Sequence, residues 1–306
     1  MNKIILFYKY IEIKNPEALR DWQRELCEKL GLKGRILIAH EGINGTVGGA
    51  LEAADQYVAI MKAHELFADV DYKESMANAD CFPKLKVKVR PEVVRLGIDP
   101  RELTPEHGGK HLTPEQTHEL IAQKPEDLVI LDARNAFEAK IGKFENAIVP
   151  DIETFREFPE YVEKNLDLFK DKQVLMYCTG GIRCERASAL LKLKNVAKEV
   201  YQIEGGIHRY VEKFPDGFFR GKNYVFDGRI AMKVNNDVLS HCELCNEPCD
   251  EYTNCINAFC NKQFTACAPC LEKSGNTCST DCQERVAQQE VVVRTLPAKT
   301  SCEVGK

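Results

Sequence analysis

Short apolar runs alternate with longer amphipathic stretches between residues 128 and 206, and this alternation restricts the fold more than any other feature. The runs cover residues 128–131, 147–149, 174–177 and 200–203. Alternation of this kind predicts a parallel sheet with helices on both faces, and therefore an α/β domain. Ligand sites in open parallel sheets lie beyond the carboxyl ends of the strands. We therefore expect a pocket where these runs end in charged or reactive residues.

The third run ends at Cys178, and a tight loop, Thr179-Gly180-Gly181, connects it to a helical pattern over residues 182–194. A thiol between a strand and a helix N-terminus receives backbone N–H groups and the positive end of the helix dipole. Arg183 and Arg186 add positive charge, so we expect the thiol pKa to fall below its usual value of about 8.5. The alternative is a buried cysteine that packs as a small apolar residue, but the paired glycines favour a reactive thiol.

The loop formed by Cys178, Thr179, Gly180, Gly181, Ile182 and Arg183 resembles the Cys-x-x-Gly-x-Arg active-site loop of rhodanese domains. The resemblance implies that Cys178 carries a persulfide and that the loop amides and Arg183 stabilise an anion. A phosphatase loop needs an arginine where this chain has Cys184, so phosphate chemistry is disfavoured. Upstream, Asp132-Ala133-Arg134 is similar to the opening of rhodanese domains, which implies that Asp132 and Arg134 support the loop structurally.

The first ninety residues predict a ferredoxin-like βαββαβ domain. Strands are expected at residues 4–10 and 35–39, helices at 16–30 and 51–64, and extended segments at 69–72 and 85–89. Residues 42–49 predict a turn and a third strand, because Asn44-Gly45 is a strong turn signal. We attribute the glycines of this run to hairpin geometry.

Two basic segments are candidates for RNA binding. Lys84, Lys86, Lys88 and Arg90 alternate with apolar residues and would share one face of a strand. Such a stripe suits phosphate contacts, but a solvated or lysine-protected sheet edge fits equally well. Between residues 214 and 233, Arg220 and Lys222 are interleaved with aromatic residues, a pattern typical of single-stranded RNA binding. The alternative is a segment that packs on the central domain through its aromatic residues.

The chain contains fourteen cysteines, and nine of them lie between Cys242 and Cys282. Two Cys-x-x-Cys pairs, Cys242/Cys245 and Cys267/Cys270, are separated by 21 residues and predict a tetrahedral zinc site with a structural role. His241, Cys249, Cys255 and Cys260 are left as substitutes or as ligands of a second site. Cys278 and Cys282 lie in a polar stretch, and we do not count them among the ligands. Free thiols in a loosely folded tail are the alternative.

The predicted organisation is a ferredoxin-like domain at residues 1–95, a linker at 96–110 and a rhodanese-like domain at 111–218. A basic, aromatic and Cys-rich zinc-binding region at 219–285 and a tail at 286–306 complete it. The net charge is −5, so RNA contact requires a local basic patch. Residues 1–10 do not resemble a signal peptide, and no apolar run approaches the ~20 residues of a membrane span. We therefore expect a cytoplasmic location and no membrane partner.

Taken together, residues 34–46, 150–159 and 177–185 are similar to the bacterial rhodanese-domain tRNA uridine hydroxylases. The resemblance implies oxygen-dependent conversion of the wobble uridine, tRNA position 34, to 5-hydroxyuridine. It also implies dioxygen as cosubstrate and the tRNA anticodon loop as partner. No flavin or nicotinamide motif is present in the sequence.

The role of Cys178 in such a reaction has two interpretations. The thiolate attacks an electron-poor carbon of uracil, or the sulfur is first oxidised or persulfidated and delivers the oxygen. Cys184 is then a resolving thiol or a packing residue. A persulfide sulfurtransferase is the alternative function. A third hypothesis, a non-catalytic RNA-binding adaptor, is disfavoured because Cys178 is intact.

Overall fold

The structure is a computed structural model that describes residues 1–77 and 81–294. From residue 295 onward, the predicted tail lies outside the described residues. The strands are β1 (Asn2–Tyr10), β2 (Lys33–Ala39), β3 (Gly42–Ala50), β4 (Lys73–Ala77), β5 (Leu85–Val89), β6 (Lys110–Leu112), β7 (Leu128–Asp132), β8 (Gly142–Phe144), β9 (Gln173–Tyr177), β10 (Glu199–Ile203), β11 (Phe219–Tyr224), β12 (Ala231–Lys233), β13 (Tyr252–Asn254) and β14 (Gln263–Thr265). The α-helices are α1 (Pro16–Lys29), α2 (Leu51–Ala63), α3 (Pro114–Gln123), α4 (Ala136–Ala139), α5 (Phe158–Lys164), α6 (Ile182–Lys194), α7 (Gly206–Lys213), α8 (Ala268–Ser274) and α9 (Thr280–Ala287).

The N-terminal sheet has the strand order β4-β1-β3-β2-β5. Neighbours in the first four positions are antiparallel, which is the ferredoxin-like arrangement expected from the sequence, and β5 adds parallel to β2. Strands alternate their side chains between faces, so Ile5, Phe7, Ile36 and Ile38 form a core with the two helices. Residues of the opposite parity face away from the helices and are free to line a site.

Two local predictions in this domain are wrong. The chain reverses at residues 40–41 rather than at Asn44-Gly45, because β2 and β3 pair from Ala39 and Gly42 outward. Gly45 lies inside β3 opposite Phe7, and a Cβ there would come within 2.4 Å of the Phe7 ring. The glycine is therefore needed for close packing rather than for a turn. The last strand of the motif begins at Lys73, beyond the predicted segment 69–72.

The central sheet has the parallel order β6-β10-β9-β7, which confirms the predicted α/β domain. α3 and α7 pack on one face, and α5 and α6 on the other. Residues 147–149 were expected to form a strand, but among the described residues they contribute only an isolated bridge between Leu131 and Ile148. The predicted linker is partly structural, since Leu96 and Leu103 are buried in the core of this domain.

The remaining segments complete two smaller sheets. β12, β11 and β8 form an antiparallel sheet that joins the central domain to the C-terminal region. β13 and β14 form a hairpin that the cysteines surround. Within residues 1–77 and 81–294, no helix has the length and apolarity that crossing a bilayer requires.

Candidate active site

Cys178 lies at the carboxyl end of β9, one tight loop before α6. The backbone N–H of Gly181 donates to its Sγ at 3.2 Å, and Gly181 has φ +105°, a conformation that favours glycine. Cys178 is only 1% exposed, and it is one of the residues that line a cavity of about 1020 Å³. The sulfur is therefore largely covered, but it lies beside a space large enough for a ligand.

The surroundings of Cys178 lower its pKa to about 5. Burial by itself raises the pKa, but the Cys184 thiol donates to the sulfur, Arg183 adds positive charge, and backbone N–H groups of Arg183 and Cys184 also lower it. Burial and the neighbouring Cys178 charge raise the pKa of Cys184 well above 9.0. Cys184 is therefore a protonated donor beside a thiolate at neutral pH.

Arg183 is held by a buried carboxylate from outside the loop. Its Nη1 and Nη2 donate to Glu138 Oε1 and Oε2 at 2.5 and 2.8 Å, a bidentate pair. Thr179 Oγ1 donates to the Tyr224 carbonyl at 3.3 Å and lies 3.4 Å from Arg183 Nη2. The guanidinium carbon also lies 5.7 Å from the centroid of the exposed Phe226 ring. The arginine thus fixes the loop and contributes charge to the sulfur at the same time.

Asp132 and Arg134 form a second buried ion pair beneath the loop. Arg134 Nη2 donates to Asp132 Oδ2 and to the Gly142 carbonyl, both at 2.7 Å, and both side chains are fully buried. Arg134 also lies 5.5 Å from the Tyr177 ring centroid. These contacts fix the start of β8 and the end of β9, which fits a supporting role.

The opposite wall of the cavity comes from the N-terminal sheet. Leu6, Tyr8 and Thr46 line it from the face that α1 and α2 leave open. The Tyr8 hydroxyl donates to Glu185 Oε1 at 2.9 Å, because burial and then the Glu185 charge raise the pKa of the phenol well above 10.0. A Cβ at Gly181 would come within 2.6 Å of the Tyr8 oxygen, so the two domains meet directly at the thiol loop.

Arg186 joins the two domains. Its guanidinium donates to Glu92 Oε2 and to the Ile98 carbonyl, both at 2.6 Å, and the side chain is fully buried. The positive charge that the sequence predicted near Cys178 is therefore paired with Glu92, which lies in the segment that follows the N-terminal sheet.

The cavity carries positive charge although the whole chain is acidic. Among the residues that the structure describes, six arginines and two carboxylates line it, a formal difference of 6 − 2 = +4 before Cys178 is counted. Two of these arginines are paired, Arg183 with Glu138 and Arg229 with Asp227. The other four are exposed, and they are Arg35, Arg90, Arg95 and Arg156.

The predicted basic stripe continues this surface. Lys84, Lys86, Lys88 and Arg90 are all exposed on the edge strand β5 and its flanks. Lys86 pairs in register with Arg35, and Lys88 with Leu37, so their side chains share the face of the sheet that lines the cavity.

The second predicted basic segment is engaged internally. Arg220 Nε donates to Glu145 at 2.6 Å, and Lys222 contacts Asp250 at 2.8 Å as well as Glu251. These pairs fit the packing alternative for this segment, since the charges join β11 to neighbouring parts of the chain.

The predicted zinc ligands come together. The sulfurs of Cys242, Cys245, Cys267 and Cys270 all lie within 4.8 Å of one another. Cys278 and Cys282, which were not counted as ligands, form a second such group with Cys255 and Cys260. Neither His241 nor Cys249 belongs to these two groups.

Comparisons with known proteins agree with this architecture. The profile described as "UPF0176 acylphosphatase like domain" matches residues 2–93, "Rhodanese-like domain" matches 113–213 and "Rhodanase C-terminal" matches 220–283. A Corynebacterium diphtheriae protein named tRNA uridine(34) hydroxylase is 44% identical over 304 residues, 94% of this chain and 97% of that protein. An Arthrobacter protein with the same name is 46% identical over 282 residues, 88% of this chain and 94% of that protein. The chain belongs to the tRNA uridine(34) hydroxylase family. The family resemblance inferred from the sequence is thereby confirmed.

In this member of the tRNA uridine(34) hydroxylase family, the thiol loop is evident from the sequence, whereas most residues of the cavity wall are not. Tyr8 could have been found, because Ile4, Leu6 and Tyr8 make both faces of β1 apolar, which indicates a strand covered on both sides. Arg95 and Phe226 lie in irregular segments, and Arg156 lies in a single turn of 3-10 helix, so none of the three carries a periodic signal.

Proposed function

We propose that this chain hydroxylates the uridine at tRNA position 34 to 5-hydroxyuridine and that Cys178 is the reacting group. One observation carries the proposal: a thiol with a pKa of about 5 faces a cavity of about 1020 Å³ with an exposed arginine rim. The names of the relatives at 44% and 46% identity supply the substrate. Cytoplasmic location follows from a tRNA substrate.

The cavity suits one nucleotide turned out of a loop. Enzymes that act on a base in RNA read it unstacked, between aromatic side chains and hydrogen-bonding groups. Phe226 is 59% exposed at the rim and offers a stacking surface. An anticodon loop presents such unpaired bases, so it is the part of tRNA that fits this opening.

Phosphates of the same loop would contact the exposed cations. Arg35, Arg90 and the stripe of Lys84, Lys86 and Lys88 lie on the sheet face that continues from the cavity. A chain with a net charge of −5 needs such a local patch to bind a polyanion. Arg220 and Lys222 are held by carboxylates, and we assign them a structural role.

The proposed chemistry uses the thiolate as a nucleophile. Attack of Cys178 Sγ on uracil C6 forms a carbon–sulfur bond and breaks the C5–C6 double bond, which places electron density on C5 and O4. Once C5 carries oxygen, loss of its proton and expulsion of the thiolate restore the ring. Cys184 is placed to donate a hydrogen bond to the departing sulfur.

Replacement of C5–H by C5–OH is a two-electron oxidation. With dioxygen as cosubstrate, one oxygen atom enters the base and the other becomes water, and an external dithiol would supply the two electrons and two protons as it is oxidised to a disulfide. The proposed zinc site at Cys242, Cys245, Cys267 and Cys270 has four thiolate ligands and no open position, so its role is structural.

Nucleoside analysis of tRNA tests the proposal. A deletion strain is complemented with the wild-type chain, with Cys178→Ser or with Cys27→Ser, a buried thiol in the N-terminal core. We expect 5-hydroxyuridine with the wild type and Cys27→Ser, and none with Cys178→Ser. Undiminished 5-hydroxyuridine with Cys178→Ser would remove the thiol from the reaction. Strong thiosulfate:cyanide turnover combined with unchanged tRNA nucleosides would instead favour a persulfide sulfurtransferase.

A tRNA anticodon stem-loop with 5-fluorouridine at position 34 tests the covalent step. The fluorinated base has no C5 proton to lose, so a thiol adduct is expected to persist through denaturing electrophoresis. Cys178→Ser should give no adduct, and an adduct of equal yield in that variant would contradict attack by this sulfur.

A further inference from the structure

The C-terminal region contains a second group of four cysteines that neither the predicted zinc site nor the proposed reaction uses. The sulfurs of Cys255, Cys260, Cys278 and Cys282 all lie within 4.8 Å of one another. The Sγ atoms of Cys260 and Cys278 are 3.6 Å apart, and those of Cys278 and Cys282 are 4.0 Å apart. Four Zn–S bonds of about 2.3 Å in a tetrahedron place the sulfurs about 3.8 Å apart. The observed separations match that arrangement.

Other uses of four thiols fit the distances less well. A disulfide joins two sulfurs at about 2.05 Å, whereas Cys278 lies at nearly equal distances from two different partners. A four-iron cluster binds each cysteine through a different iron, which spreads the sulfurs farther apart than ligands of one ion. We propose that Cys255, Cys260, Cys278 and Cys282 bind a second zinc ion and that the two zinc sites interleave along the chain.

Interleaving follows from the order of the ligands. The first and third pairs of cysteines belong to the predicted site, and the second and fourth pairs belong to the new one. The β13–β14 hairpin separates them: Cys255 directly follows β13, while Cys267 lies two residues beyond β14 at its opposite end. Three paired residues span about 10 Å, so the two ions would lie at opposite ends of one short hairpin. Each ion would stabilise the end of the hairpin that its ligands flank.

The composition of the local core supports metal binding. Apart from cysteines, the apolar cluster here contains only Phe264, Ala266 and Leu271 among the described residues. So small an apolar set does not stabilise a region of this size, and small domains with this deficit rely on metals or disulfides. Zinc binding in such regions supplies the free energy of folding.

A buried amide completes the second site. Asn257 is 1% exposed, and its Nδ2 donates to Cys282 Sγ at 3.4 Å. Its Oδ1 accepts from the backbone N–H of Phe259 at 3.0 Å, which fixes the amide orientation. Hydrogen bonds from outside the ligand set orient metal ligands and stabilise their charge, and their loss usually costs 10- to 100-fold in affinity.

Metal content of the full chain, purified reduced and without oxygen, tests the proposal. We expect about two zinc ions per chain in the wild type by elemental analysis and native mass spectrometry. Cys260→Ser/Cys278→Ser should hold one, and Cys249→Ser, a buried neighbour outside both groups, should hold two. A wild type that never carries more than one zinc, iron in place of zinc, or two zinc ions in the double variant would overturn the proposal.

A second measurement does not depend on how well the double variant folds. Chelator titration of the wild type, followed by native mass spectrometry, should show species with two, one and no zinc. Asn257→Leu should release one of its two ions at a roughly 10- to 100-fold lower chelator concentration and the other unchanged. Release of both ions at the wild-type concentration would contradict the assignment of Asn257 to the second site.

Discussion

The Cys184 thiol should control the reactivity of Cys178, and this can be measured directly. The difference between an ordinary thiol pKa of about 8.5 and about 5 corresponds to roughly 5 kcal/mol of preferential stabilisation of the thiolate. At pH 6, a thiol with a pKa of about 5 is about 90% ionised, whereas one near 8.5 is about 0.3% ionised. We therefore expect wild-type Cys178 to be alkylated at a rate that rises with a midpoint near pH 5 and is flat above about pH 6.

Substitution of Cys184 separates its hydrogen bond from the other contributions. Cys184→Ala removes the donor and should move the alkylation midpoint to higher pH, while Arg183 and the backbone N–H groups keep it below that of a free thiol. Cys184→Ser keeps a donor at the same place and should shift the midpoint less. Iodoacetamide labelling is read by mass spectrometry after trypsin digestion, since the peptide of residues 173–183 contains Cys178 as its sole cysteine.

Three results of this labelling would contradict either the low pKa of Cys178 or the role given to Cys184. A wild-type midpoint near pH 8.5 would refute the reasoning, because the loop would then leave the thiol unperturbed. Equal midpoints in the wild type and Cys184→Ala would show that Cys184 only fills space. Labelling of Cys184 at a rate similar to Cys178 would contradict its protonated state.

Further predictions concern stability and RNA binding. Glu138→Gln leaves the buried Arg183 without its counter-charge and should lower the unfolding free energy by about 3–5 kcal/mol in urea titrations. Tyr8→Phe removes one interdomain hydrogen bond and should cost about 1 kcal/mol in the same assay. The folded pKa of Cys178 lies below the unfolded one, so its stabilising contribution is complete above about pH 8.5 and lost as the pH falls through about 5. Cys178→Ser should flatten this slope, and an unchanged slope would contradict the thiolate. Lys86→Glu should weaken tRNA binding and reduce its salt-dependence slope by about one or more.

Sequence patterns predicted the features that depend on local order. Strands at β1, β2, β5, β7, β9 and β10 follow from apolar runs, and the Cys178 loop follows from its composition. Asn44-Gly45 predicted a turn, but both residues lie inside β3, because pairing with β1 outweighs their local turn preference. The residues of β1 are distant in sequence, so a local pattern does not include them. The partners of Arg220 and Lys222 come from segments up to 75 residues away, so charge spacing alone could not reveal them. The division of eight cysteines into two groups likewise depends on the hairpin between them.

The first turn of α6 connects the thiol loop to the N-terminal domain and to α4. Arg183 contacts Glu138 of α4, and Cys184 contacts Cys178. Glu185 and Arg186 bind the N-terminal domain and the segment that leaves it. Four consecutive side chains therefore point to four different partners. This explains why α6 is buried on nearly all sides and shows little amphipathic pattern in the sequence. It also means that domain docking and thiolate formation share one structural element. A change that loosens the docking of the N-terminal sheet should therefore raise the pKa of Cys178 even when it leaves the loop sequence intact.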